Sequence, residues 1–142
     1  MDYVIFDLEW NQCPYGKEKE NPKLPFEIIE IGAVKMDSRR NVVGTFHRIV
    51  KPVVYQHLHH RTREVIGLTE EELQKGIPFP QAVQEFFAFS GGACMFCTWG
   101  PGDLTELQRN MKFYNLLPLI HGPIHFYDVQ KLFAIQYETM KS

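Results

Sequence analysis

At 142 residues, with 44% hydrophobic residues and a formal net charge of -2, the chain has the size and apolar content of one ordinary domain. The charge balance excludes a global basic field, so a nucleic-acid partner would have to be held locally, for instance through a metal-filled acidic site that binds phosphate. No apolar run approaches the roughly 20 residues of a membrane span, and the N-terminus lacks the layout of a signal peptide. A cytoplasmic domain covering 1–142, with no membrane partner, is expected.

Tyr3-Val4-Ile5-Phe6 reads as a buried strand of β-branched and aromatic residues. It runs into Asp7-Leu8-Glu9, and residues two apart on a strand point to the same face. Two like charges side by side repel and cost desolvation, and hard ions such as Mg²⁺ or Mn²⁺ take carboxylate oxygens. For an isolated pair of this kind a solvated strand end is the commoner explanation; the rest of the chain reverses that balance. Trp10 to Pro25, with Pro14, Gly16 and Pro22, reads as a long loop whose Lys17-Glu18-Lys19-Glu20 run is a solvated face. Glu27 to Met36 and Val42 to Val50 are strands, antiparallel through the Asp37–Asn41 turn.

His57, His59 and His60 fall in a polar region without the carboxylate or cysteine that a metal site needs. Thr69 with Glu72 forms a capping-box signature for a short helix, and Pro80 to Phe89 suits another. Gly91-Gly92 leads to a strand over Ala93–Thr98. Its Cys94 and Cys97 fit core positions, and three cysteines, an odd number, argue against a disulfide framework. A helix is predicted over Asp103–Leu117, a strand over Ile124–Tyr127 and a last helix over Asp128–Met140. This order gives an α/β domain with a mixed sheet, whose site gathers at the strand carboxyl ends. Asp7 and Glu9 lie at one such end. Asp103, after Gly100-Pro101-Gly102, lies at another, where helix N-capping would also account for it.

In this order and spacing the residues resemble the DEDD (DnaQ-like) 3′–5′ exonucleases, the superfamily of proofreading exonucleases, RNase T and oligoribonuclease. Phe6-Asp7-Leu8-Glu9 resembles the first motif, Phe26 to Val34 the second strand, Gly67-Leu68-Thr69 the loop before the helices, and Thr98 to Leu104 the second motif. Asp7-Leu8-Glu9-Trp10-Asn11-Gln12 looks most like bacterial relatives of the histone-mRNA-type exonucleases. The resemblance implies an RNase H-like fold, a mixed five-stranded sheet flanked by helices. It also implies hydrolysis at the 3′ end of single-stranded RNA or DNA by two Mg²⁺ or Mn²⁺ ions about 3.5–4 Å apart. Asp7 would bridge both ions, Glu9 would bind one and orient water, and Asp103 would serve the other. Leu8, Trp10 and Asn11 fall where the family contacts the terminal nucleotide, and Trp10 and Trp99 could stack on bases.

The family's third motif, a helical His or Tyr followed by an Asp, has no counterpart before Ser142. Asp128 reads as a helix N-cap, and neither His121 nor His125 has an Asp at the needed spacing. The expectation is an exonuclease domain lacking its C-terminal helices, nearly inactive by itself, and self-associating through Leu132, Phe133 or Ile135. The alternative is a non-catalytic nucleic-acid-binding or protein-interaction module that keeps the fold.

Overall fold

The computed structural model describes residues 1–134. Strands β1 (Asp2–Gln12), β2 (Phe26–Met36) and β3 (Val42–Ile49) come first, followed by helices α1 (His60–Val65), α2 (Glu70–Gln74) and α3 (Phe79–Ser90). Strand β4 (Cys94–Thr98), helix α4 (Gly102–Phe113) and strand β5 (His125–Asp128) complete the named elements, and residues 129–134 continue as helix. The sheet order is β3-β2-β1-β4-β5. β1 pairs antiparallel with β2 and parallel with β4, so the mixed sheet turns direction at its central strand.

Alternation along β1 divides its side chains. Val4, Phe6 and Leu8 enter the core, where Phe79, Ala82, Val83 and Phe86 of α3 and Leu107 and Met111 of α4 meet them. Tyr3 and Ile5 are 37% and 38% exposed, so this is a half-buried strand rather than the fully buried one its composition suggests. Asp7 follows on the same open face. β1 also continues past Glu9 to Gln12, through what reads in sequence as loop, because Trp10, Asn11 and Gln12 pair with Ile28, Glu27 and Phe26. A register shift between Glu9 and Trp10 gives β2 one extra residue, Ile29, which turns into a second core cluster with Leu58 and Leu73.

The Thr69–Glu72 capping box forms as its spacing requires. α1 is a helix where sequence shows only a polar stretch, and His59 caps it by accepting the Arg61 N–H. The other loop histidines are committed elsewhere: His57 faces Glu70 at 3.3 Å, and His60 stacks on His59. α4 stops at Phe113, short of Leu117, where Asn115 takes a left-handed conformation (φ 57°). Cys94 and Cys97 are buried free thiols on one strand, three residues apart and so on opposite faces. Among the described residues no helix is long and apolar enough to cross a membrane. Leu132 and Phe133 are exposed, Phe133 with its ring centroid 6.0 Å from that of Trp99; Ile135 lies outside the described residues.

Candidate active site

The pairing of β1 with β4 ends at Ile5 and Cys97, so from Asp7 onward β1 has a free edge on that side. Leu8 offers its N–H across this edge, and Asp103 Oδ2 accepts it at 2.9 Å, closing a contact over 95 residues. Asp103 is therefore not the cap of α4. It lies in the helix's first turn, after Pro101 at the N-cap position, and reaches back to the strand that carries Asp7 and Glu9.

The turn between β4 and α4 aims that carboxylate. Gly100 adopts φ 86°, which disfavours any side chain, and an added Cβ would stand 3.1 Å from Gln130 Oε1. Thr98 Oγ1 donates to the Gly100 carbonyl. Asp128 Oδ1 accepts both the Gly100 N–H (3.0 Å) and the Lys131 N–H (3.1 Å). Asp128 thus caps the following helical stretch, as its position predicts, and also splints the turn that presents Asp103.

The electrostatics are those of crowded acids. Burial raises the pKa of Asp103 from its ordinary value; the Leu8 N–H opposes this, and the Asp7 carboxylate adds to it. Glu9 is raised first by burial, then by Asp7, Glu30 and Asp103. Glu30 stands directly across from Glu9 on β2, an unfavourable like-charge pair, and is itself met by His47 Nε2 at 2.6 Å. Among the described residues Asp7, Glu9 and Asp103 form no ion pair. No three acidic, cysteine or histidine side chains among them are closed into a ready metal cage. Asp7, Glu9 and Asp103 stay within electrostatic reach of one another. Every donor in the set is a hard carboxylate oxygen, which suits Mg²⁺ or Mn²⁺ and not a soft metal.

Beside Glu9 is a pocket of about 190 Å³, walled on one side by Leu8, Trp10 and Gln12 of β1 and on the other by Arg61, Thr62 and Val65 of α1. Trp10 is half-buried against Phe26, while Trp99 is 61% exposed. Leu8 is buried, so its side chain serves the core more than the pocket.

Asn11 is not among the residues that line this pocket. It is fully buried: its amide donates to the carbonyls of Tyr55 (3.4 Å) and His57 (2.9 Å) and accepts the His59 N–H (3.0 Å). These bonds commit both amide protons and one oxygen lone pair to main chain, so Asn11 positions the segment leading into α1 from inside the fold. Glu27 does the same work from β2, accepting the N–H groups of Val53, Val54 and Tyr55 at 2.9 Å each. Asn110 joins α4 to β2 by accepting the Ile28 N–H and donating to the Phe26 carbonyl. Sequence reading misses Glu27, Asn110 and Arg61. The one available signal is a charged or amide residue inside an apolar, periodic run, as Glu27 is in Phe26-Glu27-Ile28-Ile29.

The fold and the acidic edge define an α/β domain of RNase H-like architecture with carboxylates gathered at its central strand. The exonuclease family profile (RNase T) matches residues 4–137, and the chain belongs to that family. It is 26% identical over 137 residues to the probable 3′-5′ exonuclease KapD of Bacillus subtilis, covering 96% of this chain and 62% of KapD. It is 29% identical over 122 residues to the PolC-type DNA polymerase III of Streptococcus agalactiae, covering 86% of this chain and 8% of the polymerase. The chain thus spans less than two thirds of the curated relatives it matches. In fold it resembles the nuclease domain of 3′hExo, a DEDDh family member bound to rAMP (TM-score 0.78, 20% identity, 96% of this chain and 70% of that one). The cell-death related nuclease CRN-4 aligns with TM-score 0.78 and 20% identity, over 99% of this chain and 49% of that one.

Proposed function

We propose that this domain is a divalent-metal-dependent 3′–5′ exonuclease acting on single-stranded RNA or DNA. The observation that carries the reading is the Leu8–Asp103 bond, which draws a carboxylate from a distant helix to the strand bearing Asp7 and Glu9. Asp7, Glu9 and Asp103 would hold Mg²⁺ or Mn²⁺, which supplies activation of water and charge stabilisation at phosphorus. Asp7 would share ions between the two arms of the site, and Glu9 would orient the attacking water. Trp10 and Arg61 wall the pocket for the terminal nucleotide, Arg61 offering its guanidinium to a phosphate. None of the described histidines hydrogen-bonds to these acids. A general base acting beside these acids would contribute about 10²–10⁴-fold to the rate.

Metal binding should be visible as stability. A ligand at about 100 times its Kd adds about 2.7 kcal/mol to the folded state. Mg²⁺ or Mn²⁺ should raise the melting temperature of the wild type and not that of Asp103→Asn, in which an amide oxygen can still accept the Leu8 N–H. The pH dependence has a definite sign. Glu9 and Asp103 have raised pKa values in the fold, so the metal-free protein is favoured below ordinary carboxylate pKa values and loses that stability as pH rises through the raised ones. Asp103→Asn should flatten part of this slope and be the more stable protein at neutral pH without metal. Equal metal shifts in both proteins would remove the acids from the metal site.

Arg61 is exposed and makes no ion pair among the described residues, so its removal tests the pocket without disturbing the core. Arg61→Ala should raise KM for a short oligonucleotide severalfold with little change in kcat, the pattern of a lost binding contact. A fall in kcat alone would assign Arg61 to the chemical step. A folded, metal-binding protein that degrades neither polymer would favour the non-catalytic binding module.

A further inference from the structure

Resting on the exonuclease reading, we propose that a basic cleft on the outer side of α4 is a second binding site for nucleic acid. It would hold the phosphodiester backbone of the single strand trailing from the active site. The cleft measures about 880 Å³ and lies between the last two turns of α4 and the segment before β2. Lys23, Arg109 and Lys112 line it with Gln108, Phe113 and Asn115, and no carboxylate is among its lining residues. In a chain with 15 basic and 17 acidic residues, such a cluster does not follow from composition.

The ordinary explanations cover only part of it. Lys112, in the last turn of α4, complements the helix dipole. Arg109 pairs through one guanidinium nitrogen with Glu106, which lies on the buried side of the helix. Lys23 has neither role, yet its segment is firmly held. Asn21 Oδ1 accepts the Lys23 N–H (2.9 Å), and the Tyr55 hydroxyl accepts the Asn21 N–H (3.0 Å) and donates to the Leu24 carbonyl (2.6 Å). Three basic side chains thus line one opening, Lys23 from an anchored stretch of main chain and Arg109 through its pair with Glu106, with amides able to bond phosphate oxygens and a half-buried phenyl ring on which a base can stack.

Its position sets what it can bind. Lys112 is nine residues beyond Asp103 on one helix, about 13 Å of axial rise and half a turn around the axis. A terminal nucleotide at the acids cannot reach it, whereas a strand leaving them can. The cleft should therefore matter for long substrates and be indifferent to short ones.

The test is fluorescence anisotropy in EDTA, which prevents hydrolysis, using labelled 4-mer and 20-mer oligonucleotides of both RNA and DNA with the full chain. Both lysines are exposed, so a Lys23→Glu/Lys112→Glu double variant should fold. It should bind the 20-mers at least tenfold more weakly and leave the 4-mers unchanged. The slope of log K against log salt should become shallower by about 1.4, or about 0.7 per lost phosphate contact. A loss for both polymers supports backbone contact; a loss for one polymer supports the cleft with that polymer as its ligand. Unchanged 20-mer binding and slope, or equal weakening at both lengths, overturns the proposal. If the double variant loses 20-mer binding while the wild type hydrolyses nothing in Mg²⁺, the cleft stands and the catalytic reading falls.

Discussion

Asp7→Ala is expected to lower metal-dependent 3′-end hydrolysis by about 10³-fold or more while leaving the fold intact. Asp7 is exposed at the open face of β1, so its loss removes no core contact. At the site it stands beside Asp103, where a shared carboxylate would be the ligand common to both ions. Metal assistance is worth several kcal/mol, and about 4 kcal/mol corresponds to roughly a thousandfold. Asp7→Asn should be nearly as inactive, since it keeps the shape and removes the charge. Single-turnover cleavage of a 5′-labelled oligonucleotide, with protein in excess over substrate, measures this even when turnover is slow. Activity within a few-fold of wild type would contradict the assignment.

The largest effect on stability is expected away from the acids. Glu27 is 3% exposed and accepts three main-chain N–H groups from Val53, Val54 and Tyr55. Glu27→Ala would orphan all three, and hydrogen bonds to a charged acceptor contribute about 1.5–3 kcal/mol each. Allowing for relaxation, a loss of about 3–5 kcal/mol is expected, a large part of the roughly 5–15 kcal/mol that holds a domain together. Glu27→Gln, which keeps one acceptor oxygen, should lose less. Denaturant midpoints measure the difference, and a loss under about 1 kcal/mol for the alanine variant would contradict it. The same three bonds anchor the approach to α1, so the surviving protein should also hold the pocket beside Glu9 more loosely.

How far the sequence announces this molecule differs from element to element. The β1–β2–β3 meander is legible because period-two apolar runs flank a short polar turn at 37–41. The Gly-Pro-Gly turn before Asp103 is legible because its chemistry forces a tight strand-to-helix connection. Asp7 and Glu9 stand out because acids at the end of an apolar strand are costly. Asn11 shows where this reasoning stops. A polar residue just past a motif looks the same in sequence whether it faces a ligand or, as here, ties down main chain 44 to 48 residues away. α1 stays hidden because six residues are too few to establish a helical period. The open face of β1 is hidden as well, because a composition of Tyr, Val, Ile and Phe does not say which neighbours cover which side.

Asp7, Glu9 and Asp103 are proposed to hold together the ions that act on a 3′-terminal phosphodiester. The most direct measurement is anomalous diffraction from crystals soaked in Mn²⁺, which needs no turnover. A manganese peak is expected between the Asp7 and Asp103 carboxylates, with Glu9 turned toward it and Asp103 still accepting the Leu8 N–H. A map without a peak there, at a Mn²⁺ concentration that saturates the thermal shift, would contradict it.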